Sequence, residues 1–159
     1  MPSSQSVHRR GFSLIELVIV IVIIGIIAAI AIPRMSRGAE GANDSSLSGN
    51  LAVLRNSIDL YYTEHEGKYP TAAAVTNQLL TYTDIDGSPN PTKTGNFIFG
   101  PYLRAIPAMP IPGTQGKGQT GIAAAAGAGV GWVYDDGTGT ITCNTGTTAD
   151  AKGKLYTAY

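Results

Sequence analysis

Few residues in this 159-residue chain have the types and spacing of a reaction centre. His8 precedes a long apolar run and His65 stands alone at the end of a helical pattern, so neither has partners for a zinc site or for proton transfer. The single cysteine, Cys143, rules out an internal disulfide framework and a multi-cysteine zinc site, and reads as a half-buried thiol in a strand. No serine or cysteine sits in a nucleophile motif. Gly116, Gly118 and Gly121 match the G-x-G-x-x-G spacing that cradles a pyrophosphate, but that chemistry needs a strand before the glycines and a helix after them. Prolines precede these glycines and "IAAAAGAGVG" follows them, so a flexible Gly/Ala loop is the better account. Two acidic pairs, Asp84 with Asp86 and Asp135 with Asp136, offer hard oxygen ligands of the kind calcium takes. Aspartate beside glycine is equally an ordinary turn element. This inventory predicts no enzyme.

One carboxylate is placed unlike the others. Glu16 stands near the start of "RRGFSLIELVIVIVIIGIIAAIAIP", residues 9–33. From Phe12 to Ile32 about 15 side chains are Ile, Leu, Val or Phe. A helix rises about 1.5 Å per residue, so a segment of this length matches the hydrocarbon thickness of a bilayer, about 30 Å. At about −0.3 to −0.6 kcal/mol each on the insertion scale, these side chains outweigh one acid costing about 3 kcal/mol. The segment therefore enters a membrane. His8, Arg9 and Arg10 precede it, which places the N-terminus in the cytoplasm and the rest of the chain outside. An ordinary secretory signal is the weaker reading despite Ala29-Ile30-Ala31, because such apolar cores run about 7–15 residues. A plain anchor in which Glu16 snorkels is the other alternative.

The junction "GFSLIE", with a short basic leader before it and the apolar helix after it, resembles the processing site of the type IV pilin and type II secretion pseudopilin superfamily. The resemblance implies that Gly11 precedes the scissile bond cut by a prepilin peptidase. Phe12 would become the N-methylated N-terminus, Glu16 would match the acidic residue used in assembly, and Pro33 would match a frequent proline near the end of the apolar stretch. Physics supplies a reason for Glu16 under that reading. Cutting after Gly11 creates an amine on Phe12, and a carboxylate and an amine in lipid are each costly unless paired. Glu16 of one subunit can meet the Phe12 amine of its neighbour, and a slip of one turn would leave both unpaired, so the pair sets axial register. Cutting also removes two of the 11 basic residues and none of the 11 acidic ones, leaving no net charge that suggests nucleic-acid binding.

Beyond the membrane segment, Gly25 and Pro33 weaken the helix and predict a kink or local opening near Ile30–Pro33. Helical patterning then resumes. Leu47, Leu51, Leu54, Ile58 and Tyr61 follow a 4-3-4-3 spacing on one face that needs a sheet to lie on; the heptads are too few to favour a coiled coil. Gly67 ends the helix and Pro70 prevents its resumption. The remainder predicts a short helix over Thr71–Tyr82, a turn-rich loop over residues 83–96, an extended "NFIFGPYL", an irregular proline-rich "IPAMPIPG", a hairpin pairing Trp132–Tyr134 with Thr140–Cys143, and a C-terminal edge strand in "GKLYTAY".

The expected fold is α+β and pilin-like: a long N-terminal helix, transmembrane in its first half, packed on a small antiparallel β-sheet head. The expected organisation is a leader over 1–11, a transmembrane and filament-core helix over 12–32, its amphipathic continuation over 33–66, and a globular head over 67–159. The order "EGKYPT", "YLRAIPAMP", "GWVYDDGTGTI" is similar to that of major (G-type) pseudopilins. That implies a homo-oligomeric helical filament for type II secretion, working with other pseudopilins, an inner-membrane assembly platform and its ATPase. Major pseudopilins often bind calcium in a C-terminal loop, but their usual acidic pattern is not recognisable here. The chain also lacks the second cysteine that commonly closes a type IV pilin's C-terminal loop. A type IV pilin for adhesion, twitching or DNA uptake remains the alternative within the superfamily, and a membrane-anchored binding protein that never polymerises is the alternative outside it.

Overall fold

The computed structural model describes residues 11–150 and 152–159, with the backbone alone over 32–37, so the leader is described only at Gly11. Helix α1 spans Leu14–Glu64. The chain divides into two compact units, residues 1–39 and 40–159, and α1 contributes to both. From Leu17 to Ala31 α1 is apolar on every side, and its large side chains from Leu14 to Ile30 are exposed. Helical backbone continues through Pro33, so the local opening expected there is absent. A proline removes one N–H donor, and a long helix tolerates that loss.

In the second unit α1 buries one face. Leu47, Leu51, Leu54, Ile58 and Tyr61 are all at most 2% exposed, as their spacing predicts. They belong to one core with the β4–β5 hairpin, in which β4 (Val130–Asp135) and β5 (Thr140–Cys143) run antiparallel. Trp132 faces Cys143 and Tyr134 faces Ile141, and all four side chains are buried, because alternate residues of a strand point to one side. The predicted hairpin is thus present, between the strands expected to pair.

The expected α+β arrangement, a long helix packed on a small sheet, is present, and the sheet carries one parallel pairing besides the antiparallel one. β3 (Gly121–Ala123) pairs in parallel with β4, so the three-stranded sheet is mixed. The Gly/Ala stretch that reads as a flexible loop contains this strand. Its small residues have weak strand propensity, and what they permit is close approach: a Cβ on Gly121 would collide with the Gly129 carbonyl. Only Ile122 from the strand reaches the core.

Other elements shift by smaller amounts. The short helix α2 is confined to Val75–Leu80. The loop expected over 83–96 holds a two-stranded ladder, β1 (Tyr82–Thr83) with β2 (Pro89–Asn90). From "NFIFGPYL", Phe99 forms an isolated bridge to Thr83. The C-terminal segment forms a 3-10 helix, Tyr156–Ala158, in place of an edge strand. The proline-rich run stays irregular and lends Ile106, Met109 and Ile111 to the core. Its prolines cannot donate, so nearby donors take its carbonyls: Trp132 Nε1 donates to the Pro107 oxygen at 2.8 Å and Asn50 Nδ2 to that of Ala108 at 3.1 Å.

His65 gains partners that sequence did not reveal. It is 1% exposed and stacks on Tyr61 with ring centroids 3.7 Å apart. Its Nδ1 donates at 2.9 Å to the Tyr61 carbonyl, which only accepts, and its Nε2 lies 3.0 Å from the Thr83 hydroxyl. The end of α1 is thereby tied to β1. Burial, with the Asp84 carboxylate adding to it, pushes the Tyr61 phenol up to about 12.

α1 closes as a Schellman-type turn, with the Gly67 N–H donating to the Tyr62 carbonyl at 2.9 Å. The left-handed residue next to the helix is Glu66, at φ 55°, where glycine is the usual occupant. Glu66→Gly is therefore expected to raise stability by about 0.5–1 kcal/mol, read from the urea midpoint of Trp132 fluorescence in the detergent-solubilised protein. In the same assay Leu54→Ala should cost about 2–5 kcal/mol, and a loss under 1 kcal/mol would contradict its placement in the core.

Candidate functional site

The candidate residues at the N-terminus are set by how α1 begins. Gly11, Phe12 and Ser13 are non-helical and exposed, and the helix opens at Leu14. Ser13 therefore occupies the N-cap position and Glu16 the third helical position. The Ser13 N–H donates to Glu16 Oε2 at 2.8 Å, and the Leu17 N–H donates to the Ser13 carbonyl at 3.2 Å. This is the carboxylate arm of a capping box, in which an acid at the third position reaches back to the cap's own amide. The first N–H groups of a helix lack internal partners and carry positive partial charge, so Glu16 meets a demand of its own helix. Ser13 is the capping residue that the sequence reading missed. Its signal was present as "SLIE", an S-x-x-E spacing ahead of an apolar run.

The Gly11–Phe12 bond precedes this cap, in the non-helical stretch. Phe12 is 83% exposed. After it, Leu14–Ala31 is long and apolar enough to cross a membrane, with none of that span buried. The backbone places Pro33 inside α1.

A second surface lies in the outer part of α1. Ala42, Ser46, Gly49, Val53, Asn56, Leu60 and Thr63 repeat at alternating intervals of four and three, and all are exposed. None is charged. Val53 and Leu60 are 48% and 49% exposed, and a Cβ built on Gly49 would meet nothing within 4 Å. Three charged neighbours on this half of α1 are engaged by the head. Asp44 accepts from the Tyr156 hydroxyl at 2.8 Å, Glu64 accepts from that of Tyr102 at 2.6 Å, and Arg55 Nη1 donates to the Tyr159 carbonyl at 3.0 Å. Burial and the Glu64 hydrogen bond both raise the Tyr102 phenol.

Of the acidic side chains considered for calcium, Asp84 and Asp135 close turns, while Asp86 and Asp136 have partners elsewhere. Asp84 Oδ1 accepts the Ser88 N–H at 2.8 Å, and Asp86 lies 3.7 Å from the Lys68 ammonium. Asp135 accepts from the Gly137 N–H at 2.9 Å and the Thr138 hydroxyl at 2.8 Å, and these bonds, the hydroxyl's foremost, hold its carboxyl below the ordinary range. Asp136 Oδ2 accepts the Ala72 N–H at 2.9 Å. Among the described residues no three of His, Cys, Asp and Glu gather as a metal-holding group. Cys143 is fully buried where half-burial was expected; its thiol donates to the Tyr156 carbonyl at 3.1 Å, and burial pushes its pKa up.

Asp150 does comparable work near the C-terminus. It accepts the Lys152 and Lys154 N–H groups at 2.8 and 2.9 Å and the Tyr159 hydroxyl, and these bonds, the hydroxyl's first, lower its pKa.

A family model described as the prokaryotic N-terminal methylation motif matches residues 7–32. No curated protein and no solved structure matches the chain. The motif match supports a type IV pilin-like family and a filament subunit in the general sense, and it points to structural proteins more than to enzymes. With the apolar helix, it is consistent with a membrane-anchored precursor processed by a prepilin peptidase.

The Asp150 bonds carry a pH signature. A carboxyl held below its unfolded value of about 3.9 stabilises fully above that pH, and the contribution fades as pH falls through the folded-state value. The thermal midpoint of the head should therefore drop below about pH 4, and less steeply in Asp150→Asn than in the unaltered protein when scanned by circular dichroism.

Proposed function

We propose that this chain is a pseudopilin-like subunit that polymerises through its N-terminal helix to serve type II protein secretion. The observation that carries the proposal is the run of features at the N-terminus. An accessible Gly11–Phe12 bond precedes a capped helix whose first half is exposed and apolar, within the segment matched by the methylation motif. Before assembly the helix would sit in the inner membrane, with the N-terminus cytoplasmic and the head periplasmic. The peptidase would cut after Gly11, and Phe12 would be methylated. Polymerisation, driven by a platform protein and an ATPase, would replace lipid around Leu14–Ala31 with neighbouring helices. Glu16 would meet the Phe12 amine of the next subunit, a pairing worth most where water is excluded. Pro33 would give the emerging helix limited compliance.

The uncharged seam from Ala42 to Thr63 supports the same reading, because it gives the outer helix a face on which another copy can lie. Small residues at Ala42, Ser46 and Gly49 permit close helix approach, and Val53 and Leu60 supply knobs. Secretion is favoured over a type IV pilus by the order of the head motifs and by the single cysteine, which is buried in β5.

Mass spectrometry of the purified protein should give a methylated N-terminus at Phe12; an uncut chain, or one cut after Ala31, refutes the proposal. Glu16→Ala should insert in membranes normally yet yield at least tenfold fewer filaments by electron microscopy. Deleting the gene should strand secreted enzymes in the periplasm, whereas lost twitching with secretion intact would move the chain to the pilus branch.

A further inference from the structure

The head carries apolar surface that its own core does not use. Among the described residues beyond α1, three large apolar side chains are exposed: Ile85 at 38%, Ile98 at 54% and Leu155 at 45%. They belong to two patches of opposite chemistry. Ile85 and Ile98 line an open groove of about 360 Å³ together with Phe99, Asn96, Asp84 and Asp86. The groove is thus apolar with an acidic edge. One oxygen of Asp84 accepts the Ser88 N–H, and Asp86 meets Lys68 at 3.7 Å. Both side chains of that ion pair are exposed, so it is weak and can be exchanged for another.

Leu155 has basic neighbours instead. Lys152 and Lys154 stand on the same exposed stretch, and the Lys154 ammonium lies 3.9 Å over the Tyr159 ring, a contact that leaves its charge in place. Asp150, the acid of this stretch, is turned to the Lys152 and Lys154 N–H groups and the Tyr159 hydroxyl.

The two patches are anchored far apart on the head. Tyr156, next to Leu155, donates its hydroxyl to Asp44 at 2.8 Å, near the start of the outer part of α1. Phe99 packs on His65 with ring centroids 5.1 Å apart, just past the helix end at Glu64. These anchor points are separated by about 30 Å along the helix axis, at about 1.5 Å per residue. One subunit cannot join its own patches.

We infer that Leu155, flanked by Lys152 and Lys154, seats in the Ile85–Ile98 groove of a second copy of this chain, with the lysines facing Asp84 and Asp86. The inference rests on the filament reading above and specifies a head contact within it. Apolar meets apolar and basic meets acidic, and the charges set which way round the patches dock. An antiparallel pair could satisfy both patches at once and close as a dimer, but copies inserted the same way in one membrane lie parallel. Each then offers its groove to one neighbour and its Leu155 to another, an arrangement that propagates instead of closing. A contact this small would not hold two free subunits together. Copies already held by their helices meet at high effective concentration, where a weak contact counts.

Filaments of the full-length chain carrying both Ile98→Cys and Leu155→Cys are treated with a short bis-maleimide, which tolerates imperfect register, and resolved by denaturing electrophoresis. The double variant should give a ladder of dimers, trimers and higher species, and each single variant should stay monomeric; Cys143 is buried, and the single variants report any part it takes. Filaments of the double variant that stay monomeric overturn the inference. So do dimers without higher species, the mark of a closed antiparallel pair, and so does a dimer from either single variant. Ile98→Glu places a third carboxylate in the groove. With the thermal midpoint of the head unchanged by circular dichroism, it should yield at least about fivefold fewer filaments by electron microscopy, and a smaller loss overturns the inference even where the cysteine variant makes none. Should Ile98→Glu unfold the head, Leu155→Glu applies the same measure from the other side. Failure of the filament reading looks different: the unaltered chain itself stays uncut or forms no filaments.

Discussion

The burial of one face of α1 beneath the β4–β5 hairpin is the contact on which the rest of the head depends. Leu47, Leu51, Leu54, Ile58 and Tyr61 supply the helix side of that core, and Trp132, Tyr134, Ile141 and Cys143 supply the sheet side. Neither partner is stable alone. The helix carries Gly38, Gly41 and Gly49, each costing about 1 kcal/mol against alanine, and an isolated hairpin is marginal in water. Once they meet, the irregular segments have a surface to close over. Ile106, Met109 and Ile111 fill the gaps, and donors on the helix and sheet satisfy the carbonyls that the prolines leave exposed.

Polar groups divide along the same line. Charges on the head side of the outer helix are engaged by tyrosine hydroxyls and main-chain oxygens, through Asp44, Arg55 and Glu64. The seam from Ala42 to Thr63 bears none. The acid at the other end of α1 obeys a related rule. Glu16 is tolerable in an apolar segment because its own backbone offers a donor, and that donor is available only at a helix start.

Much of this could be read before any coordinates. The 4-3-4-3 spacing named the buried face of α1, and "DDGTG" between alternating strands placed the hairpin. The segment that the methylation motif matches was visible as "GFSLIE" followed by an apolar run. β3 was not legible, because glycine and alanine have weak strand propensity and the strand exists by pairing with β4. The β1–β2 ladder was hidden by its brevity at two residues per strand. His65 looked isolated because its partners, the Tyr61 carbonyl and the Thr83 hydroxyl, are a backbone atom and a side chain from another element.

By itself the sequence determined where an apolar helix begins and ends, which side of its continuation faces a core, and which bond precedes it. These are properties of period, length and charge along a single chain, and local physics is enough to set them. Tertiary structure alone decided that the head's sheet is mixed, that Cys143 lies sealed beneath Tyr156, and that the aspartates which resembled ligands have other partners, in turns for Asp84 and Asp135 and across the head for Asp136. Those outcomes depend on which groups distant in sequence come within hydrogen-bonding reach. A carboxylate's spacing along the chain does not say which N–H will find it first.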